Sequence, residues 1–218
     1  MKRRILPVAV ALAASAALLL TACGGADDKS SKNDKIAGAD TGSSQASASP
    51  SATPSNSAER PKITLPKGVK DAFEDWKTGD TTKDAVLSDA AQARRALDYA
   101  GTQGNTKEPA VSFYWKGDAL VDAVDWVKWF VDNNSTYIGT VRYYDANVTV
   151  SSKSSAVVIY CSDESRAYNK NKKTKKVEIT PATSKSYVLY NTRLEKDSEG
   201  VWRTVGIVSQ RGYKSCVQ

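Results

Sequence analysis

Histidine is absent from this 218-residue chain. That absence removes Ser-His-Asp and Cys-His nucleophilic machinery, and the His-bearing zinc sites with them. Any general acid or base has to be Asp, Glu, Lys or Tyr. Cysteine is scarce: Cys23, Cys161 and Cys216 are the whole set. Three thiols without a histidine are too few for an ordinary four-ligand structural zinc site, and no cofactor is implied. Long apolar runs are lacking beyond Ile5–Leu20, so no second segment is fit to span a bilayer. Neither sign of charge dominates strongly. The chain holds 31 Lys plus Arg against 24 Asp plus Glu, a net +7. A mild excess suits anionic envelope polymers or lipid headgroups and is weak ground for nucleic acid, which is not expected as a partner.

What is present begins with three positive residues, Lys2, Arg3 and Arg4, ahead of that 16-residue apolar run. The run has the length of a signal-peptide core and is short for a span. Leu20-Thr21-Ala22-Cys23 follows and resembles the lipobox of bacterial lipoproteins. The resemblance implies cleavage before Cys23 and lipidation of its thiol. Two acyl chains are enough for stable anchoring. The expected location is the outer face of the cell membrane, held by the acyl chains on Cys23. Arg3-Arg4 raises the twin-arginine route, but the residues after it fit that pattern poorly and favour general secretion.

Removing residues 1–22 takes three basic residues and no acidic one, leaving 28 against 24. Residues 23–60 read as the lipidated Cys and a tether of Gly, Ala, Ser, Asp, Lys, Thr and Pro, with Ile36 its only large apolar side chain. Such a composition cannot bury enough surface to offset the entropy of ordering. Residues 61–218 hold all five tryptophans and read as a single domain.

Periodicity splits that domain in two. Val69, Ala72, Phe73 and Trp76 fall at i, i+3, i+4 and i+7 and predict a helix stopped by Gly79. Thr81 or Thr82 is expected to cap a second helix with Val86, Ala90, Ala93, Leu97 and Ala100 inside. A third is expected from Asp118 to about Asp132. Strands are expected at 137–144, 147–150, 156–162, 186–195 and 201–210. Lys196–Gly200 reads as a hairpin connection and Asn169–Thr174 as a turn. The fold class is α+β: about three N-terminal helices on a strongly curved antiparallel sheet.

That element order over residues 69–216 resembles the nuclear-transport-factor-2-like fold, a curved sheet wrapped over helices into a cone. Finer features are similar to a group of actinobacterial lipoproteins. They are Thr78-Gly79-Asp80, Gly139-Thr140-Val141-Arg142-Tyr143-Tyr144, Tyr160-Cys161-Ser162-Asp163, Tyr190-Asn191-Thr192-Arg193-Leu194 and Ser209-Gln210-Arg211-Gly212. The fold hosts isomerases, dehydratases, hydrolases and non-enzymatic binding modules, so it does not choose a function by itself. No spacing here maps an acid–base residue onto a family role, and no catalytic residue is carried over.

Three constellations remain. An even count in an exported domain favours pairing of Cys161 with Cys216 over two free thiols. Lys170, Lys172, Lys173, Lys175 and Lys176 form either a solvated loop or an anion-binding one. Arg142, Asp163 and Arg193, with Tyr143, Tyr144, Tyr160, Tyr187 and Tyr190, are candidates for a pocket lining. The alternative for these is outward charge and cross-strand packing.

The function expected is a membrane-anchored, non-catalytic binding or interaction module of the cell envelope. Its partner would be an anionic envelope polymer, a small apolar ligand or another envelope protein. Two other classes stay open. One is a small-molecule isomerase, dehydratase or hydrolase with a carboxylate/Tyr pocket. The other is an envelope-structural protein that contacts anionic wall polymer through Lys170–Lys176. An enzyme is expected to bury a carboxyl of raised pKa beside a tyrosine in an open cavity. A binding module is expected to show an apolar or closed floor.

Overall fold

The structure, a computed structural model, describes residues 58–218. The expected signal peptide, Cys23 and most of the expected tether lie outside the described residues. The chain forms an α+β body of three helices on a six-stranded mixed sheet.

β1 is Val69–Phe73, β2 Ser135–Ser152, β3 Ser155–Asn171, β4 Val177–Glu178, β5 Tyr187–Lys196 and β6 Trp202–Arg211. The sheet order is β1-β2-β3-β5-β6, with the short β4 beside β3. β1 runs parallel to β2, and the other pairs are antiparallel. The expected all-antiparallel sheet is therefore corrected to a mixed one.

The cause is Val69–Phe73, read above as helix and found as a strand. Val69, Asp71 and Phe73 alternate with Lys70 and Ala72, and Phe73 pairs with Tyr143 across the ladder. A segment this short satisfies a helical and a strand period at once. Gly68 (φ 88°) turns the chain in and Asp75 (φ 56°) turns it out. Trp76 then leaves the strand and packs edge-on against Phe73 and Tyr160, at 4.7 and 5.2 Å between ring centroids.

α1, Thr81–Gln103, starts at Asp80, whose side chain accepts from the Lys83 N–H at 2.9 Å. The cap thus lies one residue ahead of Thr81. Gly104 at φ 69° closes the helix in the left-handed conformation. Val86, Ala90, Ala93, Leu97 and Ala100 are all buried, as their spacing predicts. α2, Pro109–Tyr114, was not anticipated; Pro109 at its start suits the first turn. α3 is Gly117–Asp132, within one residue of expectation.

Two cores result. One sets Val86, Leu87 and Ala90 of α1 against the sheet's Val141, Tyr143, Val158, Tyr160, Val188 and Leu194. The other joins Ala93, Ala96 and Leu97 to α2, α3 and Val201. Trp115 is buried in the second core and donates its indole N–H to the Ala93 carbonyl at 2.9 Å.

β2 and β3 are long, and their pairing carries register shifts at Thr140/Arg142, Tyr144/Asn147 and Val150/Ser152. Gly139 (φ 109°) sits where a Cβ would lie 1.9 Å from the Arg166 carbonyl oxygen. Only glycine permits that approach.

Ala58 and Arg60, inside the segment expected to be tether, contact the folded body. The Ala58 N–H donates to the Glu199 carbonyl at 3.3 Å. Arg60 forms a bidentate pair with Asp89, at 2.6 and 2.8 Å. Asp89 is fully buried and also accepts from the Trp202 N–H at 2.9 Å. Removing Arg60 leaves that carboxylate short of its charge partner. We expect Arg60→Ala to cost about 2 kcal/mol, below the usual range for a fully buried pair because Arg60 keeps some solvent contact. Urea denaturation of wild type and variant at neutral pH measures it; a loss under about 0.5 kcal/mol would mean the Trp202 amide alone satisfies Asp89.

Candidate functional site

The inner face of β2 presents Tyr137, Val141 and Tyr143, two or four residues apart, as pleating requires. α1 crosses this face and places Arg94 and Asp98, one turn apart, above the tyrosines. Trp126, Trp129 and Phe130 of α3 form one wall. Glu164 and Ala167 of β3, Tyr190 of β5 and the segment Thr180–Ser186 form the other. They enclose an open cavity of about 630 Å³.

Its floor is polar. The Tyr143 hydroxyl donates to Asp98 Oδ2 at 2.8 Å. Arg94 gives Nη2–H to Asp98 Oδ1 at 3.3 Å and Nε–H to the Tyr143 oxygen at 3.1 Å. The guanidinium also lies 5.2–5.8 Å from the ring centres of Trp126, Tyr143 and Tyr190. Arg94 Nη1 makes no bond to a described residue. Arg94 itself lines the cavity.

Beneath this floor lies Asp71, paired in register with Val141 on the neighbouring strand. Both of its carboxyl oxygens are shut off from solvent and no N–H or O–H donor reaches them. Burial first, and the nearby Asp98 charge second, push the Asp71 carboxyl up to about 8. A protonated Asp71 can donate to Asp98, which resolves an otherwise unsatisfied pair of acceptors. The Tyr137 hydroxyl is also sealed and has no hydrogen bond of full geometry. Burial, then Asp98, push its pKa well up, so it stays a donor. Burial likewise holds Tyr143 protonated and lifts Tyr160 to about 12.

At the rim, Glu164 accepts from Tyr190 at 3.3 Å and pairs with Arg211 at 2.8 Å. Arg211 also donates to the Lys185 carbonyl at 2.8 Å, tying the 180–186 segment to β6. Among the described residues, no group of three or more acidic or sulfur side chains is arranged for a metal ion.

The candidate pocket residues divide between the two faces of the sheet. Tyr143 and Tyr190 line the cavity, and Tyr160 stacks on Tyr190 at 5.1 Å. Arg142, Tyr144, Asp163 and Tyr187 lie on the opposite face. There Arg142 bonds Glu74 at 2.8 and 2.9 Å and Asp163 at 3.2 Å. Tyr144 and Tyr187 pack around the disulfide. Arg193 is exposed beside Gly206. Cys161 and Cys216 are bonded.

The lysine loop divides too. Lys172 reaches back to the Gln103 carbonyl at the C-terminus of α1, at 3.0 Å, and Lys175 bonds the Lys172 carbonyl at 2.7 Å. Lys170 sits in β3 opposite Val177. Lys173 and Lys176 flank the turn and are exposed.

Sequence reasoning missed Asp71, Arg94, Asp98 and Tyr137. A signal existed for two of them. Leu87, Ala91, Arg94 and Asp98 fall at i, i+4, i+7 and i+11, a second stripe beside the alanine one, and all four are buried.

No protein-family model and no curated protein matches the sequence. Several solved structures share part of its shape. A ketosteroid isomerase-like protein from Erwinia carotovora atroseptica SCRI1043 is 16% identical, with a TM-score of 0.41 over 58% of this chain and 93% of its own. The intermembrane-space region of the chloroplast protein ARC6 is 12% identical, with a TM-score of 0.41 over 62% and 98%. A ketosteroid isomerase assignment from Shewanella frigidimarina NCIMB 400 is 13% identical, with a TM-score of 0.31 over 64% and 100%. Likeness at this level assigns this chain neither an activity nor a ligand.

Proposed function

We propose that this chain is an exported lipoprotein, anchored through Cys23 on the outer face of the cell membrane. Its domain is a nuclear-transport-factor-2-like cone that binds a small ligand without transforming it. The observation that carries the binding reading is the open cavity of about 630 Å³, walled by aromatic rings and floored by Arg94. That volume lies within the ordinary range of small-molecule sites. The anchor rests on the signal segment and Leu20-Thr21-Ala22-Cys23.

An acid–base enzyme is the second reading. It is favoured by the open, polar floor, which departs from the apolar or closed floor expected of a binding module, and by Asp98, buried 2.8 Å from the Tyr143 hydroxyl. The features expected of a catalytic carboxyl are split between two residues, however. Asp71 has the raised pKa but is sealed under the floor. Asp98 faces the cavity but already holds Arg94 and Tyr143. A general base needs a lone pair aimed at the substrate.

Two experiments test this. Mature protein is expected to begin at Cys23 and fractionate with membranes, and Cys23→Ala to block lipidation and its linked cleavage. Wild-type fractionation of that variant would remove the anchor. Mass spectrometry of protein purified from its native envelope is expected to find a small molecule in the domain. Turnover of that molecule, lost in Asp98→Asn at unchanged melting temperature, would make the chain an enzyme.

A further inference from the structure

The binding reading can be deepened to a ligand class. We infer that the cavity takes an uncharged, mostly apolar molecule that offers one hydrogen-bond acceptor to Arg94 at the floor. The inference rests on the cavity being a ligand site, as proposed above.

Charge balance argues first. Arg94, Lys185 and Arg211 line the cavity, and so do Asp98, Glu164 and Glu178. Three cations face three anions, so a charged ligand of either sign meets no net complement. The strongest partners are already committed. Arg94 pairs with Asp98 at 3.3 Å and Arg211 with Glu164 at 2.8 Å. An anionic ligand entering the floor must compete with the Asp98 carboxylate for Arg94. A cationic one must approach the guanidinium itself. Either costs desolvation that these spent pairs do not return.

The donor inventory argues second. A guanidinium carries five N–H groups. Two are used, on Asp98 and Tyr143; Nη1 has no partner among the described residues, and Arg94 lines the cavity. Each acceptor of the floor already holds a bond and none is bonded to Nη1: Asp98 Oδ1 and the Tyr143 oxygen accept from Arg94 Nη2 and Nε, and Asp98 Oδ2 accepts from Tyr143. A carbonyl, ether or hydroxyl oxygen satisfies Nη1 and adds no charge. The walls suit the rest of such a molecule. Trp126, Trp129 and Phe130 face Tyr137, Tyr143 and Tyr190, flat surfaces that reward ring contact.

The test uses the purified full-length protein and three probes of one shape: acetylnaphthalene, naphthoate and naphthylmethylammonium. Calorimetric titration, with detergent-only blanks, is expected to show acetylnaphthalene binding at least tenfold more tightly than either charged probe. Ala167→Phe, which fills the cavity wall, is expected to abolish that binding. Arg94→Gln is expected to weaken acetylnaphthalene at least tenfold while its melting curve reports whether the fold survives. The ranking of the probes on wild-type protein decides the ligand class even where that variant unfolds. Preference for naphthoate or naphthylmethylammonium would overturn the ligand class and leave the binding module standing. Failure of all three to bind, or binding unaffected by Ala167→Phe, would overturn the cavity as a ligand site and this inference with it.

Discussion

Asp71→Asn is expected to stabilise the protein by several kcal/mol at pH 8, and by much less near pH 4. The Asp71 carboxyl lies shut off from solvent beneath the cavity floor, without an N–H or O–H donor. Its ordinary value of 3.8 rises to about 8. Burial is the main cause, the Asp98 charge adds to it, and Arg94 and Arg95 act against it. The unfolded chain releases this proton near pH 4, while the folded chain holds it to about pH 8. Across that window the folded state binds more protons than the unfolded one. Stability therefore falls as pH rises through the window and levels off above it. Each pKa unit corresponds to about 1.4 kcal/mol, so the loss accumulates to at most about 6 kcal/mol. An asparagine keeps the shape, donates to Asp98 permanently and has no proton to lose. Chemical denaturation of both proteins at about pH 4.5, 6 and 8 reads the difference. A gap that stays constant across pH would mean that Asp71 does not hold its proton in the folded state.

That carboxyl was invisible in the sequence for a physical reason. Val69–Phe73 satisfies two periods at once, and the helical face of Val69, Ala72, Phe73 and Trp76 does not include Asp71. Only the pairing of Asp71 with Val141 turns it inward, and pairing partners far apart in sequence are not written into local periodicity. α1 shows a related limit. Its alanine stripe was legible because a helix packed on one side leaves one clean face. α1 is covered by the sheet and by the other two helices. Its buried arc is therefore wider than one stripe and takes in Arg94 and Asp98.

The second half of the chain was easier. Strands β2, β3, β5 and β6 stand where alternation put them, though β2 joins two expected strands and β3 runs on to Asn171. What alternation does not reveal is which of two adjacent polar or aromatic residues faces the helices. Tyr143 and Tyr144 are equally good pocket candidates by composition. One lines the cavity and the other packs on the disulfide. The choice follows from the register of Tyr143 with Phe73 and Ser162, and of Tyr144 with Cys161. Arg142 and Asp163 are opposite each other in the same ladder. They therefore share the outer face and form an ion pair there instead of flanking a ligand.

The disulfide sits on that outer face, and its loss is expected to cost about 4 kcal/mol. Cys161 lies in β3 between Tyr144 of β2 and Leu189 of β5. Cys216 belongs to the short helical turn Lys214–Cys216 after the last strand. The bond joins residues 55 apart. Closing a loop of that length removes denatured-state entropy worth about 4 kcal/mol in the chain-entropy model. Local packing adds to the attachment. Cys216 is fully buried, and the Tyr144 hydroxyl donates to its carbonyl. Without the bond, little else holds the C-terminal residues. Gln218 reaches Arg142 at 3.2 Å, and the turn itself closes through Cys216 N–H to Tyr213 at 3.0 Å. The double variant Cys161→Ala/Cys216→Ala leaves no free thiol to reshuffle and is the cleaner test. Its melting temperature is expected to fall by roughly 8–16 °C, at about 2–4 °C per kcal/mol for a domain of this size. Reductant is expected to lower the wild type by a similar amount and leave the variant unchanged. The cavity lies on the other face, so the variant is expected to keep its ligand affinity at temperatures where it remains folded. A loss below about 1 kcal/mol would mean that residual structure in the unfolded chain already holds these ends together.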